Sequence, residues 1–279
     1  MDQTPRRAAR ASLPALVIAD VGPFQRRYEP ALAMNDRNAE QIDMALRLYV
    51  QSLCAPIWWE SARQTVVNSG TMCVVQTPEA LLGITNNHVL EIYERHKIEK
   101  NDIFCQLGSA PFEPLDNLIA RSKHWDLATF GIPEQTRQHW GHRIVLARAW
   151  PPQPIEASDH VVFGGYPEVR RTVPPGPHPP TMSIDFVSFR RQPHCCTAEQ
   201  VSFHVDPSQV TWLPNVHEPL SPGTSLSGMS GGPCFRIIAA EDRIDLGGFI
   251  YEGDYSLGIV FARQACLVSA DGGIAPAPY

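Results

Sequence analysis

The stretch LSGMSGGPCF, Leu226–Phe235, places Ser230 among three glycines and a proline. Two interpretations are open, a catalytic nucleophile or a glycine-rich turn between two strands. A serine hydroxyl is a weak nucleophile until a positioned base takes its proton, and histidine is the usual base. The order of the histidines and acidic residues along the chain therefore decides what this stretch means.

All histidines of the chain precede Ser230. The pattern Gly-x-Ser-x-Gly from Gly228 to Gly232 also fits the nucleophile elbow of α/β-hydrolases, but there the catalytic histidine follows the serine. That fold is excluded. Two triad orders remain, His–Asp–Ser on double β-barrels and Asp–His–Ser on a parallel α/β sheet.

Short apolar runs rich in β-branched residues, separated by turn residues, form two series of about six predicted strands each. The first series includes QTVVNS and TMCVVQT, and the second includes QVTWL at residues 209–213. This pattern favours a mainly β protein with two six-stranded antiparallel β-barrels. We predict an N-terminal arm and helix in residues 1–60, a first barrel in 61–150 and a second in 151–279.

One helix is predicted in the N-terminal segment. Asn35 and Asp36 are typical capping residues, and Pro56 would end the helix. Its apolar face consists of Ile42, Leu46, Tyr49 and Leu53. We expect this face to pack on the first barrel; docking of a regulatory partner is the alternative. The basic stretch before it is interpreted as an arm rather than a signal peptide.

His88 and Asp126 are the strongest candidates for a base and its acidic partner. His88 follows the predicted strand ALLGITN, and a strand end is a rigid platform for a functional side chain. Asp126 lies between Trp125 and Leu127, where a carboxylate needs a hydrogen-bond partner. A histidine ring N–H would be such a partner, although Asp126 could instead cap a turn.

Three motifs in this order carry a resemblance to a known family. TNNHV around His88, DLA at Asp126 and GMSGGP around Ser230 resemble the signatures of chymotrypsin-like (trypsin-like) serine peptidases. The resemblance is closest to the bacterial HtrA/Deg-type protease domain, and it extends over residues 66–265. The short stretch after Ser230 leads us to expect no PDZ domain.

The resemblance implies a serine endopeptidase that forms an acyl-enzyme. It implies His88 as general base, Asp126 as the acid that orients it, and Ser230 as nucleophile. The backbone N–H groups of Gly228 and Ser230 would form the oxyanion hole. A peptide-binding module without catalytic activity and an esterase with the same triad are the alternatives.

Departures from the family pattern concern activation and specificity. Val89 stands where secreted members often carry a cysteine, and Met229 stands where members activated by cleavage carry an aspartate. We therefore expect neither disulfides nor that activation. The resemblance implies a substrate pocket lined by Thr224, Ser225, Tyr251, Glu252 and Gly253. The segment upstream of Ser230 contains no aspartate that would line this pocket. This favours a substrate with a small or medium apolar side chain, although Glu252 could attract a basic one.

Composition limits the other function classes. The net charge of −6 is unfavourable for binding nucleic acid. Seven cysteines without the short spacing of a zinc knuckle predict free thiols in a reducing compartment, here the cytoplasm. No metal site, cofactor motif or membrane span is predicted. The partner expected from the sequence is a protein or peptide substrate.

Overall fold

The computed structural model describes residues 39–61, 64–100, 102–147, 149–172, 183–206, 225–254 and 258–278. Four features predicted from the sequence lie outside them: the N-terminal arm, the caps Asn35 and Asp36, the strand at residues 209–213, and Thr224. Among the helices of the described residues, none combines the length and apolar character that spanning a bilayer requires.

Helix α1 comprises Ala39–Ser52. The apolar face predicted for it is buried, with Leu46 only 1% exposed and Ile42 and Tyr49 packed against the same cluster. Burying one leucine side chain contributes about 1.5–3 kcal/mol. This face therefore packs in the core. The prediction that the helix continues to Pro56 is wrong, because the residues from Cys54 onwards pair as a strand.

The first sheet contains eight strands within the described residues. They are β1 Cys54–Ser61, β2 Gln64–Gln76, β3 Leu81–Thr85, β4 Ile103–Leu107, β5 Ala110–Pro111, β6 Leu118–Ser122, β7 Leu127–Gly131 and β8 Val145–Leu146. Their order is β5-β4-β1-β2-β3-β7-β6, and β8 pairs in parallel with β2. Helices α2 Asn87–Glu99, α3 Pro114–Asn117 and α4 Glu134–Gln138 connect these strands.

The second sheet has seven strands in the described ranges, ordered β12-β9-β15-β16-β17-β14-β13. They are β9 Val161–Gly165, β12 Val187–Arg191, β13 Cys195–Cys196, β14 Gln200–His204, β15 Pro233–Ile238, β16 Arg243–Asp254 and β17 Ile259–Gln264. A separate hairpin joins β10 Arg171–Thr172 to β11 Ser183–Ile184. Neighbouring strands of the seven-stranded sheet are antiparallel.

The prediction of a mainly β protein with two antiparallel sheets and an N-terminal helix is confirmed. The described residues form eight strands in the first sheet and seven in the second, where about six each were expected. β5, β8 and β13 are only two residues long and give no recognisable period. β1 joins the first sheet although it falls within the predicted N-terminal segment.

Three apolar cores hold these elements together. One lies within each sheet, and the third joins α1 to residues of both sheets, among them Ile84 of β3 and Phe249 of β16. Arg47 of α1 is 1% exposed and donates a hydrogen bond from Nη2 to the carbonyl of Phe186, next to β12. Helix α1 thus packs against residues of both sheets and links them.

Candidate active site

His88 and Asp126 meet where two connections of the first sheet come together. His88 is the second residue of α2, which one residue separates from β3, and Asp126 ends the turn between β6 and β7. The His88 ring Nδ1 lies 2.7 Å from Asp126 Oδ2, and the His88 backbone N–H donates to Oδ1 at 2.8 Å. Because an ionised carboxylate only accepts, Nδ1 carries the proton, and Nε2 of a neutral ring is free to accept one.

The backbone of Asp126 adopts a conformation that is uncommon for residues other than glycine. Its φ is +52°, in the left-handed region. The buried Asn86 holds it there by donating from Nδ2 to the Asp126 carbonyl at 2.7 Å. Asn86 belongs to the TNNHV motif, but its type alone gave no sign of this role.

Ser230 lies in a tight loop that ends at Pro233 of β15. The flanking Gly228 and Gly231 have φ values of +96° and +87°. A Cβ on Gly228 would lie 2.7 Å from the backbone carbonyl oxygen of Tyr166, the residue that follows β9. Glycine is therefore required here for both its conformation and its size.

The backbone N–H groups of Gly228 and Ser230 in this loop make no hydrogen bond within the described residues. Their neighbours are paired, since Met229 donates to Leu226, and Gly231 donates to Ile250 at 2.8 Å. Gly228, Ser230 and His88 together line a small pocket of about 60 Å³. Unpaired donors in a pocket wall can bind a negatively charged oxygen.

A larger cleft of about 480 Å³ lies beside this pocket. His88 and Asp126 from the first sheet and Ser230 from the second line it. Four of the five residues predicted to bind substrate also line it, namely Ser225, Tyr251, Glu252 and Gly253. Within the described residues, no hydrogen bond joins the Ser230 hydroxyl to the His88 ring. The cleft nevertheless brings a hydroxyl, an imidazole and a carboxylate to one place.

No metal-binding constellation accompanies these residues. The described portion of the chain contains no group of three or more His, Cys, Asp or Glu side chains placed to hold a metal ion. What the site offers is an acid, a base, a hydroxyl and two free backbone donors.

Thr71 of β2 connects this loop to the first sheet, and sequence reasoning missed it. Its fully buried hydroxyl donates to the Gly228 carbonyl at 2.8 Å and accepts from the Tyr166 N–H at 3.0 Å. Its own N–H donates to the Ser230 carbonyl at 2.9 Å. A threonine in a strand is common, so nothing in the local pattern marked it.

We expect Thr71→Val to lower the unfolding free energy by about 1–3 kcal/mol, because it leaves two backbone groups without a partner. It should also lower kcat/KM, since those groups position the Ser230 loop. Thr136→Val is the matched control, because Thr136 is also buried and donates to a backbone carbonyl, that of Pro111. Denaturant unfolding and steady-state kinetics measure both effects. An unchanged kcat/KM for Thr71→Val would contradict the positioning role.

Comparison with known proteins gives only distant similarities. No protein-family model and no curated protein matches the chain. Among solved structures, the chain is similar to the active form of the Rv3671c protease from M. tuberculosis, with 17% identity, 94% of this chain and 90% of that chain covered, and a TM-score of 0.41.

Two further solved structures show similarity at the same level. The serine endoprotease of Yersinia pestis is 12% identical, with 83% of this chain and 64% of that chain covered and a TM-score of 0.48. The thermostable serine protease AL20 from an extremophilic microorganism is 13% identical. The match covers 76% of this chain and 91% of that chain, with a TM-score of 0.44. These similarities are too distant to assign a role to any residue of this chain.

Proposed function

We propose that the chain is a serine endopeptidase that hydrolyses peptide bonds through an acyl-enzyme. One observation carries the proposal: both carboxylate oxygens of Asp126 hold His88, at 2.7 and 2.8 Å, in the cleft that Ser230 also lines. A histidine held in one orientation and one tautomer beside a serine is the arrangement that nucleophilic catalysis requires.

In the proposed reaction, Ser230 Oγ attacks the carbonyl carbon of the scissile peptide while His88 Nε2 takes the hydroxyl proton. The tetrahedral intermediate collapses when His88 gives that proton to the leaving amine, and the acyl group stays on Ser230. Water, deprotonated by His88, then hydrolyses the ester. Catalytic hydrogen bonds often shorten only when substrate is bound, so the missing Ser230–His88 bond is compatible with this role.

The free N–H groups of Gly228 and Ser230 are proposed to bind the oxygen of the intermediate as it becomes negative. Donors fixed before the reaction need no reorganisation when the charge develops, and one such donor contributes about 3–4 kcal/mol to transition-state stabilisation. The positive φ of Gly228 supports this assignment, because it gives this N–H a direction that an L-residue rarely adopts.

Substrate recognition is proposed to involve Ser225, Tyr251, Glu252 and Gly253, which line the cleft, together with Thr224. We propose a protein or peptide substrate with a small or medium apolar side chain at the scissile bond. All seven cysteines are free thiols in the structure, which supports a reducing compartment such as the cytoplasm.

The test is covalent labelling with a fluorophosphonate, a phosphorus electrophile that reacts only with an activated serine. The wild-type protein should be labelled and Ser230→Ala should not. Ser227→Ala is the matched control, because Ser227 lies in the same loop and lines the same cleft, yet it should keep full labelling. Equal labelling of wild type and Ser230→Ala would overturn the proposal.

Two substrates then separate the alternatives. A peptidase should cleave a denatured protein and a p-nitrophenyl ester, whereas an esterase should cleave only the ester. A catalytically inactive binding module would neither react with the probe nor turn over either substrate. Peptide-bond cleavage that disappears in Ser230→Ala is the expected result.

A further inference from the structure

Arg263 is a cation in the wall of the cleft, and among the residues that the structure describes it has no acidic partner. It lies on β17, is partly buried, and lines the cleft together with His88 and Ser230. Its Nε donates to the Trp125 carbonyl at 2.9 Å, and its Nη1 donates to Gln200 Oε1 at 3.3 Å. A guanidinium has five N–H donors, so about three remain available.

The guanidinium is fixed before any ligand arrives. Its central carbon lies 4.0 Å from the centre of the Tyr251 ring, within the range of a cation–π contact. The Tyr251 hydroxyl donates to the same Gln200 oxygen at 3.0 Å, so one amide holds both side chains. Burial raises the pKa of Tyr251, and the charge of Arg263 opposes that rise. Fixing the side chain in advance reduces the entropy lost on binding.

Among the described residues, no nearby carboxylate forms an ion pair with Arg263. Asp126 uses both oxygens on His88, and Glu91 is paired with the other cleft cation, Lys123, at 2.9 Å. Glu252 also lines the cleft, but it is exposed and makes no ion pair with Arg263. Water and salt screen an exposed charge strongly. Asp126 and Glu252 keep their negative charges, but neither occupies the guanidinium, so its remaining N–H donors are open to a carboxylate that enters the cleft.

We propose that Arg263 binds an aspartate or glutamate side chain of the substrate close to the scissile bond, which makes the enzyme selective for acidic sequences. This inference rests on the proposed peptidase function. The planar guanidinium matches a carboxylate in shape and charge, and a partly desolvated pair is stronger than an exposed one. The apolar side chain proposed above and this acidic side chain occupy different parts of the same cleft.

The experiment compares peptides that differ only by glutamate or glutamine, placed in turn at each position around the cleaved bond. At one position, kcat/KM should be about 10- to 100-fold higher for glutamate, the difference that one charge-assisted hydrogen bond gives. Arg263→Gln should reduce this ratio to about one. The measured quantity is the ratio of kcat/KM for the glutamate peptide to kcat/KM for the glutamine peptide. A general loss of activity lowers both values equally and leaves this ratio unchanged.

Lys123→Gln is the matched control, because Lys123 is another cation of the cleft but is already paired with Glu91. It should keep the glutamate preference. The preference should also decline as the salt concentration rises from about 0.05 to about 0.5 M, because the Debye length then falls from about 14 to about 4 Å. A glutamate-to-glutamine ratio of one in the wild type, or a ratio unchanged by Arg263→Gln, would overturn the proposal.

Binding separates this inference from the proposed function. Ser230→Ala protein mixed with fluorescent glutamate and glutamine peptides gives two Kd values without any cleavage. A lower Kd for the glutamate peptide that is lost when Arg263→Gln is added supports carboxylate binding by Arg263, even if the fluorophosphonate test fails. If the wild type cleaves peptides but both peptides bind with equal Kd, Arg263 does not select a carboxylate. The proposed peptidase function would then still hold.

Discussion

Asp126→Asn should lower kcat by about 10⁴-fold, the loss typical of a histidine held in the wrong tautomer. The carboxylate accepts two hydrogen bonds from His88, one from the ring and one from the backbone. An amide offers only one oxygen. If that oxygen accepts from the backbone N–H, the amide NH₂ faces Nδ1, so the ring proton moves to Nε2. His88 then has no lone pair at the atom that must take the serine proton.

Asp159→Asn is the control for replacing a hydrogen-bonded carboxylate by an amide. Asp159 is likewise a carboxylate that accepts side-chain hydrogen bonds, here from Arg236 at 2.7 Å, and it does not line the cleft. It should lose some stability and keep its kcat. The measurements are kcat and KM on one peptide, the rate of fluorophosphonate labelling, and thermal unfolding. A folded Asp126→Asn protein with kcat within tenfold of the wild type would contradict the assigned role.

Gly231→Ala should destabilise the protein by about 3–5 kcal/mol, combining left-handed backbone strain with overpacking. The added Cβ would lie 2.1 Å from the Thr71 carbonyl oxygen and 2.3 Å from Thr85 Oγ1. Neither atom can move away easily, because the Thr85 hydroxyl donates to that same carbonyl at 2.6 Å. The φ of +87° adds strain that no rearrangement of neighbours removes.

Gly131→Ala is the control, since a Cβ there meets nothing within 4 Å and φ is not positive. Its unfolding free energy should stay within about 0.5 kcal/mol of the wild type, as for most substitutions away from special features. Denaturant unfolding followed by tryptophan fluorescence compares the two variants. Equal midpoints for Gly231→Ala and wild type would show that the loop accepts a side chain.

The sequence predicts α1 from apolar residues at three- and four-residue spacing, and β3 from a short apolar run that precedes polar residues. β1 was missed because six of its first seven residues are buried, which removes the alternation, and Pro56 was interpreted as a helix end. The runs QTVVNS and TMCVVQT predict two strands, but Ser69 and Gly70 continue a single strand, β2.

The candidate site shows the same limit. The sequence predicts His88, Asp126 and Ser230 as candidates because their residue types and their order along the chain fit a known chemistry. Thr71 and Arg263 were missed because each acts across the fold: Thr71 bonds Gly228 157 residues away, and Arg263 bonds Trp125 138 residues away. A polar side chain whose partner is that distant leaves no local pattern to interpret.

The position of α1 has a consequence for how the protein is made. Arg47 contacts Phe186, 139 residues later in the chain, so this contact must wait for that segment to be translated. At typical synthesis rates that takes about 7–30 s. During this time the nascent first half carries an apolar helix face without its second sheet, and exposed surface of this kind promotes aggregation. We therefore expect the yield of folded protein to depend on translation speed and on chaperones that bind the emerging chain.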